Sequence, residues 1–197
     1  MTSTSTLTTR PAPAATDSTT WLRVAQLSVV LVVPALVILA VVGSLFTTID
    51  SGDFRYTADY WYTAVGLPIT LGGIGLALAV HRLQDGADGR LGTVGVWINT
   101  IALIELFVQL LASVIAGSEL RWGPTYPLCT LLSFIGIALL AAGSWRTGVL
   151  PRWMLGVWPL VWVVGSLFAQ GPTPLLLAAF LVLLVVTLGR RVSPSAG

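Results

Sequence analysis

The stretch LGTVGVWINTIALIELFVQLLASVIA, residues 91–116, is a long apolar run with a carboxyl side chain near its middle. A helix needs roughly 20 apolar residues to cross about 30 Å of hydrocarbon, so this run is long enough to span a bilayer. Glu105 lies 14 residues after Leu91 and 11 residues before Ala116. The stretch therefore predicts a membrane helix with an acid at mid-depth.

The whole chain has the composition of an integral membrane protein. Of its 197 residues, 55% are hydrophobic and only 9% are charged, and the mean hydropathy is +0.89. Soluble domains carry about 25% charged residues. Because lipid cannot satisfy free backbone groups and no segment alternates like a barrel strand, the spans must be helices. The sequence predicts an all-α, polytopic membrane helix bundle.

Six apolar segments predict six transmembrane helices, at residues 22–46, 61–82, 91–116, 124–145, 152–170 and 172–190. The last two are marginal in length, and the residues GPTP at 171–174 favour a tight turn between them. We expect one membrane domain over residues 21–191. The polar residues 1–20 predict a disordered cytoplasmic tail, and residues 192–197 a short cytoplasmic one.

The arginines predict the orientation of these spans. With the N-terminus inside, eight arginines lie on the cytoplasmic side and only Arg55 and Arg121 lie outside. The eight are Arg10, Arg23, Arg82, Arg90, Arg146, Arg152, Arg190 and Arg191. Short cytoplasmic loops carry an excess of arginine and lysine. We therefore expect a multi-pass protein of the inner (plasma) membrane with both termini in the cytoplasm.

Polar and small side chains of the third span share one helix face. At 100° per residue they fall within an arc of roughly 120°. They are Asn99, Ala102, Glu105, Gln109, Ser113 and Ala116. The bulky side, Leu103, Phe107, Leu110 and Leu111, is expected to face lipid. Burial favours the uncharged acid, which predicts a protonated Glu105 bonded to Gln109, one turn away, or to a neighbouring helix.

Other spans add candidate residues. Thr70 lies on a small-residue face of the second span and can reach the depth of Glu105, and Ser133 lies within the fourth span. Trp158 and Trp162 of the fifth span are deeper than interfacial anchors need to be, and they either wall an apolar cavity or pack the bundle. The candidates for binding or proton relay are thus Glu105, Gln109, Asn99, Thr70, Ser133, Trp158 and Trp162.

The sequence predicts no metal, cofactor or nucleic-acid site. The chain has one cysteine, Cys129, and one histidine, His81, which has no cysteine or acid at metal-ligand spacing. No nucleotide motif or basic cluster is present. The expected partners are the lipid bilayer and either further copies of this chain or another membrane subunit.

Two boundary motifs carry a resemblance. With RTGVLPRW at 146–153 and WGP at 122–124, the chain resembles small, uncharacterised six-span integral membrane proteins of GC-rich bacteria. The resemblance implies a fold and no activity.

Three classes of function remain open from the sequence. The first is a binding or permeation protein for a small molecule or protons, centred on Glu105. The second is a structural or accessory subunit of a membrane complex, whose polar face meets a partner helix. The third is a membrane-embedded enzyme acting on a lipid-like substrate, which requires a second acid or a histidine near Glu105.

Overall fold

The computed structural model describes residues 15–45, 54, 57–120, 123–166 and 171–192, and the helices assigned within them confirm the all-α prediction. In chain order they are α1 (Ala15–Leu45), α2 (Thr57–Ala64), α3 (Gly66–Leu83), α4 (Gly89–Ala116), α5 (Thr125–Ser144), α6 (Arg152–Ser166) and α7 (Thr173–Val192).

Within the described ranges, five helical stretches are long and apolar enough to cross a membrane: Ser18–Val42, Thr57–Leu83, Gly89–Ala116, Thr125–Ser144 and Thr173–Arg191. The second of them combines α2 and α3. Only Val65 separates these helices, and its amide still donates to the Trp61 carbonyl at 3.0 Å. Helix α6 has 15 residues, which cover about 22 Å at 1.5 Å per residue. The predicted fifth span, 152–170, ends outside the described residues, so six spans remain a prediction.

The edges of two predicted loops differ from the structure. Helix α1 begins at Ala15, so the predicted disordered tail is wrong for residues 15–20, while residues 1–14 lie outside the described part. Helix α2 begins at Thr57, within the polar loop between the first two predicted spans. Both segments are polar but hold no glycine or proline beyond Ala15 or Thr57 that would stop a helix.

The long helices close into a ring in the order α4, α5, α6, α7, α1, α3 and back to α4. Neighbours that follow one another in the chain run antiparallel. Three close contacts show the alignment: Gly72 against Val32, Gly66 against Leu110, and Gly165 against Leu177. The core lies inside this ring and includes Leu36, Ile137 and Trp158, each at most 1% exposed.

All arginines that the structure describes lie at one end of the ring. They are Arg23, Arg82, Arg90, Arg146, Arg152, Arg190 and Arg191. Trp21 near the start of α1 stacks under the Arg82 guanidinium at the end of α3, 5.6 Å from the ring centroid. This contact places the first turns of α1 at the arginine-rich end. The acids Asp59 and Glu119 lie at the opposite end.

Glycines bring α4 and α5 into backbone contact. A Cβ on Gly136 would lie 2.5 Å from the Asn99 amide nitrogen, and one on Gly143 would lie 2.6 Å from the Gly92 nitrogen. Small residues permit this approach in membrane helices. We call Gly92, Gly95, Gly136 and Gly143 the glycine seam. The seam fixes the position of α5 along α4 and thereby sets which polar residues of the two helices face one another.

Candidate functional site

Three predicted residues from three helices form one hydrogen-bonded chain in the ring. The indole Nε1 of Trp162 donates to Ser133 Oγ at 3.0 Å, and Ser133 Oγ donates to Asn99 Oδ1 at 2.7 Å. The side chains are 3%, 1% and 0% exposed. This triad of Asn99, Ser133 and Trp162 ties α4, α5 and α6 together at one level.

Trp162 also crosses the interior of the ring. A Cβ on Gly73 of α3 would lie 2.6 Å from the Trp162 ring and 3.0 Å from a methyl group of Leu103 on α4. Trp162 therefore fills the space between four helices instead of walling a cavity at this level. Leu103, which the helix pattern assigned to the lipid side, is only 3% exposed. That prediction is wrong because the α3-facing side of α4 needs a bulky residue opposite Gly73.

Glu105 occupies the outer margin of the buried face of α4. Its neighbours Ala102 and Gln109 are buried, whereas Ile101 and Ile104 are 65% and 50% exposed, and Glu105 itself is intermediate. Cys129 of α5 lies within electrostatic range of its carboxyl group. Glu105 thus lies on the outer side of the ring, along the groove between α4 and α5.

The carboxyl group of Glu105 makes no hydrogen bond or ion pair with any residue in the described ranges. The predicted bond to Gln109 is not formed, since Gln109 is 4% exposed and its Nε2 has no partner among those residues. One turn separates the two side chains, but Gln109 turns towards the packed interface and Glu105 towards the groove. Within the described part of the chain, the carboxyl group of Glu105 therefore has no hydrogen-bond partner.

Thr70 lies at the predicted depth but on a different side of α4 from Glu105. The contacts Gly66–Leu110 and Gly73–Leu103 place Thr70 at the level of Leu106 on the antiparallel α4, one residue from Glu105. Its hydroxyl donates to the Leu67 carbonyl of its own helix at 2.9 Å. Glu105 lies on the other side of α4, so the two do not form a site.

Two buried NH groups, one in the triad and one next to it, lack an acceptor in the described part of the chain. Asn99 Nδ2 and Trp158 Nε1 have no partner among the described residues. Because α5 and α6 run antiparallel, the Ser133–Trp162 hydrogen bond places Trp158 at the level of Ile137. Ile137 follows Gly136, against which Asn99 packs. The middle of the ring therefore offers hydrogen-bond donors.

A second polar cluster at the turn between α3 and α4 was not predicted. His81 Nδ1 lies 2.6 Å from Asp88 Oδ2, and the Asp88 side chain is 0% exposed. Gln84 Nε2 donates to Ser144 Oγ at 2.8 Å, linking this turn to α5. In the described part of the chain, Asp88 Oδ1 and Gln84 Oε1 are left unpaired. This cluster offers acceptors.

The search for acids at metal-ligand spacing from His81 did not predict the His81–Asp88 pair. The chain reverses between positions 81 and 88, with positive φ angles at Asp85 and Gly86, which returns Asp88 to the histidine. The run QDGADG at 84–89 is rich in turn residues and could have indicated this reversal. No group of three metal-ligating side chains occurs within the described ranges.

In comparisons with known proteins, no family model, no curated protein and no solved structure matches the chain.

Proposed function

We propose that this chain is a six-span subunit of a membrane assembly, and that it binds a second copy of itself in the plane of the bilayer through Glu105. The observation that carries the proposal is the position of this acid. It lies at mid-depth on the outer groove of the ring and is partly buried, without a partner in the described part of the chain. A polar group facing hydrocarbon is costly, and a hydrogen bond to a neighbouring subunit removes that cost.

The orientation belongs to the same proposal. Seven described arginines at one end of the ring support a cytoplasmic location for that end under the positive-inside rule. Both chain termini then lie in the cytoplasm of a cell whose inner or plasma membrane holds the protein. The proposal keeps the predicted fifth span, 152–170, of which the structure describes Arg152–Ser166 as α6.

Proton-linked binding or permeation at Glu105 is the second candidate. The acid is the one carboxyl side chain within the long apolar span of α4, and its place on the groove gives it access from outside the ring. The interior is filled at the level of Trp162, so a path using Glu105 runs along the subunit surface. The enzyme alternative has no support, because the single histidine, His81, pairs with Asp88, about 25 Å along α4 from Glu105.

Two substitutions at Glu105 separate the candidates. Glutamine keeps the ability to donate and accept hydrogen bonds, whereas leucine keeps neither; neither residue exchanges a proton. Lateral assembly is measured by energy transfer between labelled copies in vesicles of decreasing protein-to-lipid ratio. We expect Glu105→Leu to weaken association about fivefold, the effect of roughly 1 kcal/mol from one intramembrane hydrogen bond. Glu105→Gln should associate almost normally.

The same vesicles, loaded with a pH-sensitive dye and driven by a potassium diffusion potential, report proton flux. Flux lost equally in both variants would establish the second candidate. Glu119→Gln, an acid substitution near the outer end of α4, is the matched control and should change neither reading. If Glu105→Leu associates like the wild type and no flux is seen, both proposals are wrong.

A further inference from the structure

The arginine-rich mouth of the ring contains a pocket of about 420 Å³. Its lining comes from three parts of the chain that surround the mouth. These are Leu83 at the end of α3, residues Thr147, Gly148 and Val149 of the α5–α6 turn, and Arg191 in the last turn of α7. The pocket is far from Glu105, which lies near mid-depth, and it takes no part in the assembly proposed above.

Hydrogen-bond donors dominate the polar lining. Arg191 donates through one Nη atom to the Gly148 carbonyl, which leaves most of the five NH groups of a guanidinium free. The Gly148 amide has no hydrogen bond to any residue of the described ranges. The Thr147 hydroxyl is already used, since it donates to the Ser144 carbonyl at 2.9 Å.

The charge around the mouth is positive. Arg146, Arg152 and Arg190 are exposed at the same end. Of the acids whose side chains are described there, Asp88 is buried against His81 and Asp85 lies on the α3–α4 turn. A fixed arginine, a free backbone amide and a positive rim together select an anion. Arginine presents paired NH groups with the spacing of phosphate oxygens.

We propose that this mouth pocket binds a phosphate group, with Arg191 as the charged ligand-binding residue and the Gly148 amide as the second donor. The volume accommodates inorganic phosphate or the headgroup of an anionic lipid. Leu83 and Val149 supply an apolar wall that suits the glycerol region of a lipid. The two sources share the same chemistry at the guanidinium.

The test is thermal stabilisation of the full-length protein in a zwitterionic detergent, with two added probes. One probe is inorganic phosphate, with chloride at equal ionic strength as its reference. The other is phosphatidylglycerol in mixed micelles, with phosphatidylcholine as its reference. We expect one of the probes to raise Tm in a saturable manner. Arg191→Gln should weaken the affinity for that probe about tenfold or more, as expected for a lost charge-assisted hydrogen bond.

Two further variants distinguish a pocket from a general attraction. Leu83→Trp fills the pocket without changing its charge and should also weaken the affinity for the probe. Arg90→Gln removes an exposed arginine at the same end that does not line the pocket, and it should change the affinity less than twofold. Equal losses in Arg90→Gln and Arg191→Gln, no saturable probe, or unchanged binding in Leu83→Trp would each overturn the proposal. The active probe identifies the source of the phosphate.

Discussion

Asn99 and Glu105 lie on the same helix, about 9 Å apart along its axis, and the structure treats them differently. Asn99 is 0% exposed and completes a hydrogen-bonded chain through three helices. Glu105 is partly buried on the outer groove and forms no hydrogen bond with a described residue of its own chain. The residue inside the ring links helices of the same chain, whereas the residue on the groove has no hydrogen-bond partner among the described residues.

The largest effect is expected where Asn99 meets the glycine seam. In Gly136→Ala the new Cβ would lie 2.5 Å from the Asn99 nitrogen and 2.7 Å from the Gly95 carbonyl. Since backbone cannot move aside as a flexible side chain can, we expect a loss of about 2–3 kcal/mol in the free energy of unfolding. Reversible unfolding in mixed detergent micelles measures it.

Gly189→Ala is the matched control for that variant. It makes the same chemical change inside α7, where a Cβ would meet nothing within 4 Å. Alanine is favoured over glycine in a helix by about 0.5–1 kcal/mol, so this variant should be at least as stable as the wild type. Equal stability of the two variants would show that α4 and α5 do not touch at the seam.

A smaller loss is expected at the triad. Ser133→Ala leaves both Asn99 Oδ1 and Trp162 Nε1 without their partners, and an unsatisfied buried group costs about 1–3 kcal/mol. We expect about 1–2 kcal/mol by the same unfolding measurement. Ser166→Ala removes a hydroxyl that only donates to the Trp162 carbonyl of its own helix and should cost less. A loss in Ser133→Ala that is no larger than the loss in Ser166→Ala would show that the triad does not stabilise the fold.

The smallest effect on the isolated chain is expected at Glu105. No bond to a described residue is lost in Glu105→Leu, so the stability of the monomer in detergent should change by less than about 0.5 kcal/mol or should rise. Asn99→Leu at the same depth range should cost more. A clear loss of monomer stability in Glu105→Leu would mean that the acid forms a stabilising contact within its own chain. The contrast drawn between Asn99 and Glu105 would then be wrong.

The depth of a residue in the membrane could be predicted from the sequence, but the neighbouring helix that its side chain faces could not. Counting residues from the ends of an apolar run places Glu105 near mid-membrane, and the same count places Thr70 at its level, as the Gly66–Leu110 and Gly73–Leu103 contacts confirm. Which side of α4 meets α3 and which meets α5 depends on the order of helices in the ring. Hydropathy carries no information on that order, so the helix pattern alone predicts that Leu103 faces lipid.

The triad was predicted as three separate residues and not as one site. Asn99, Ser133 and Trp162 are each unusual for their place in an apolar run, which is a signal that sequence alone provides. Their meeting depends on the register of α5 against α4, which the glycine seam sets. The His81–Asp88 pair was missed for a related reason, since a helix-face argument stops where the helix ends and the partner lies beyond a turn.

Because the helices form a closed ring, the chain could begin and end at other helices without changing which helices are neighbours. Helices α1 and α7 are neighbours, and the first turns of α1 and the last turn of α7 lie at the same arginine-rich end. A peptide linker joining them would bridge adjacent elements, and new ends could be opened at the α5–α6 turn on that same side. Every helix–helix interface would survive such a circular permutation. The order in which the helices enter the membrane would change completely, so the permuted gene would separate what insertion order contributes to this fold from what packing contributes.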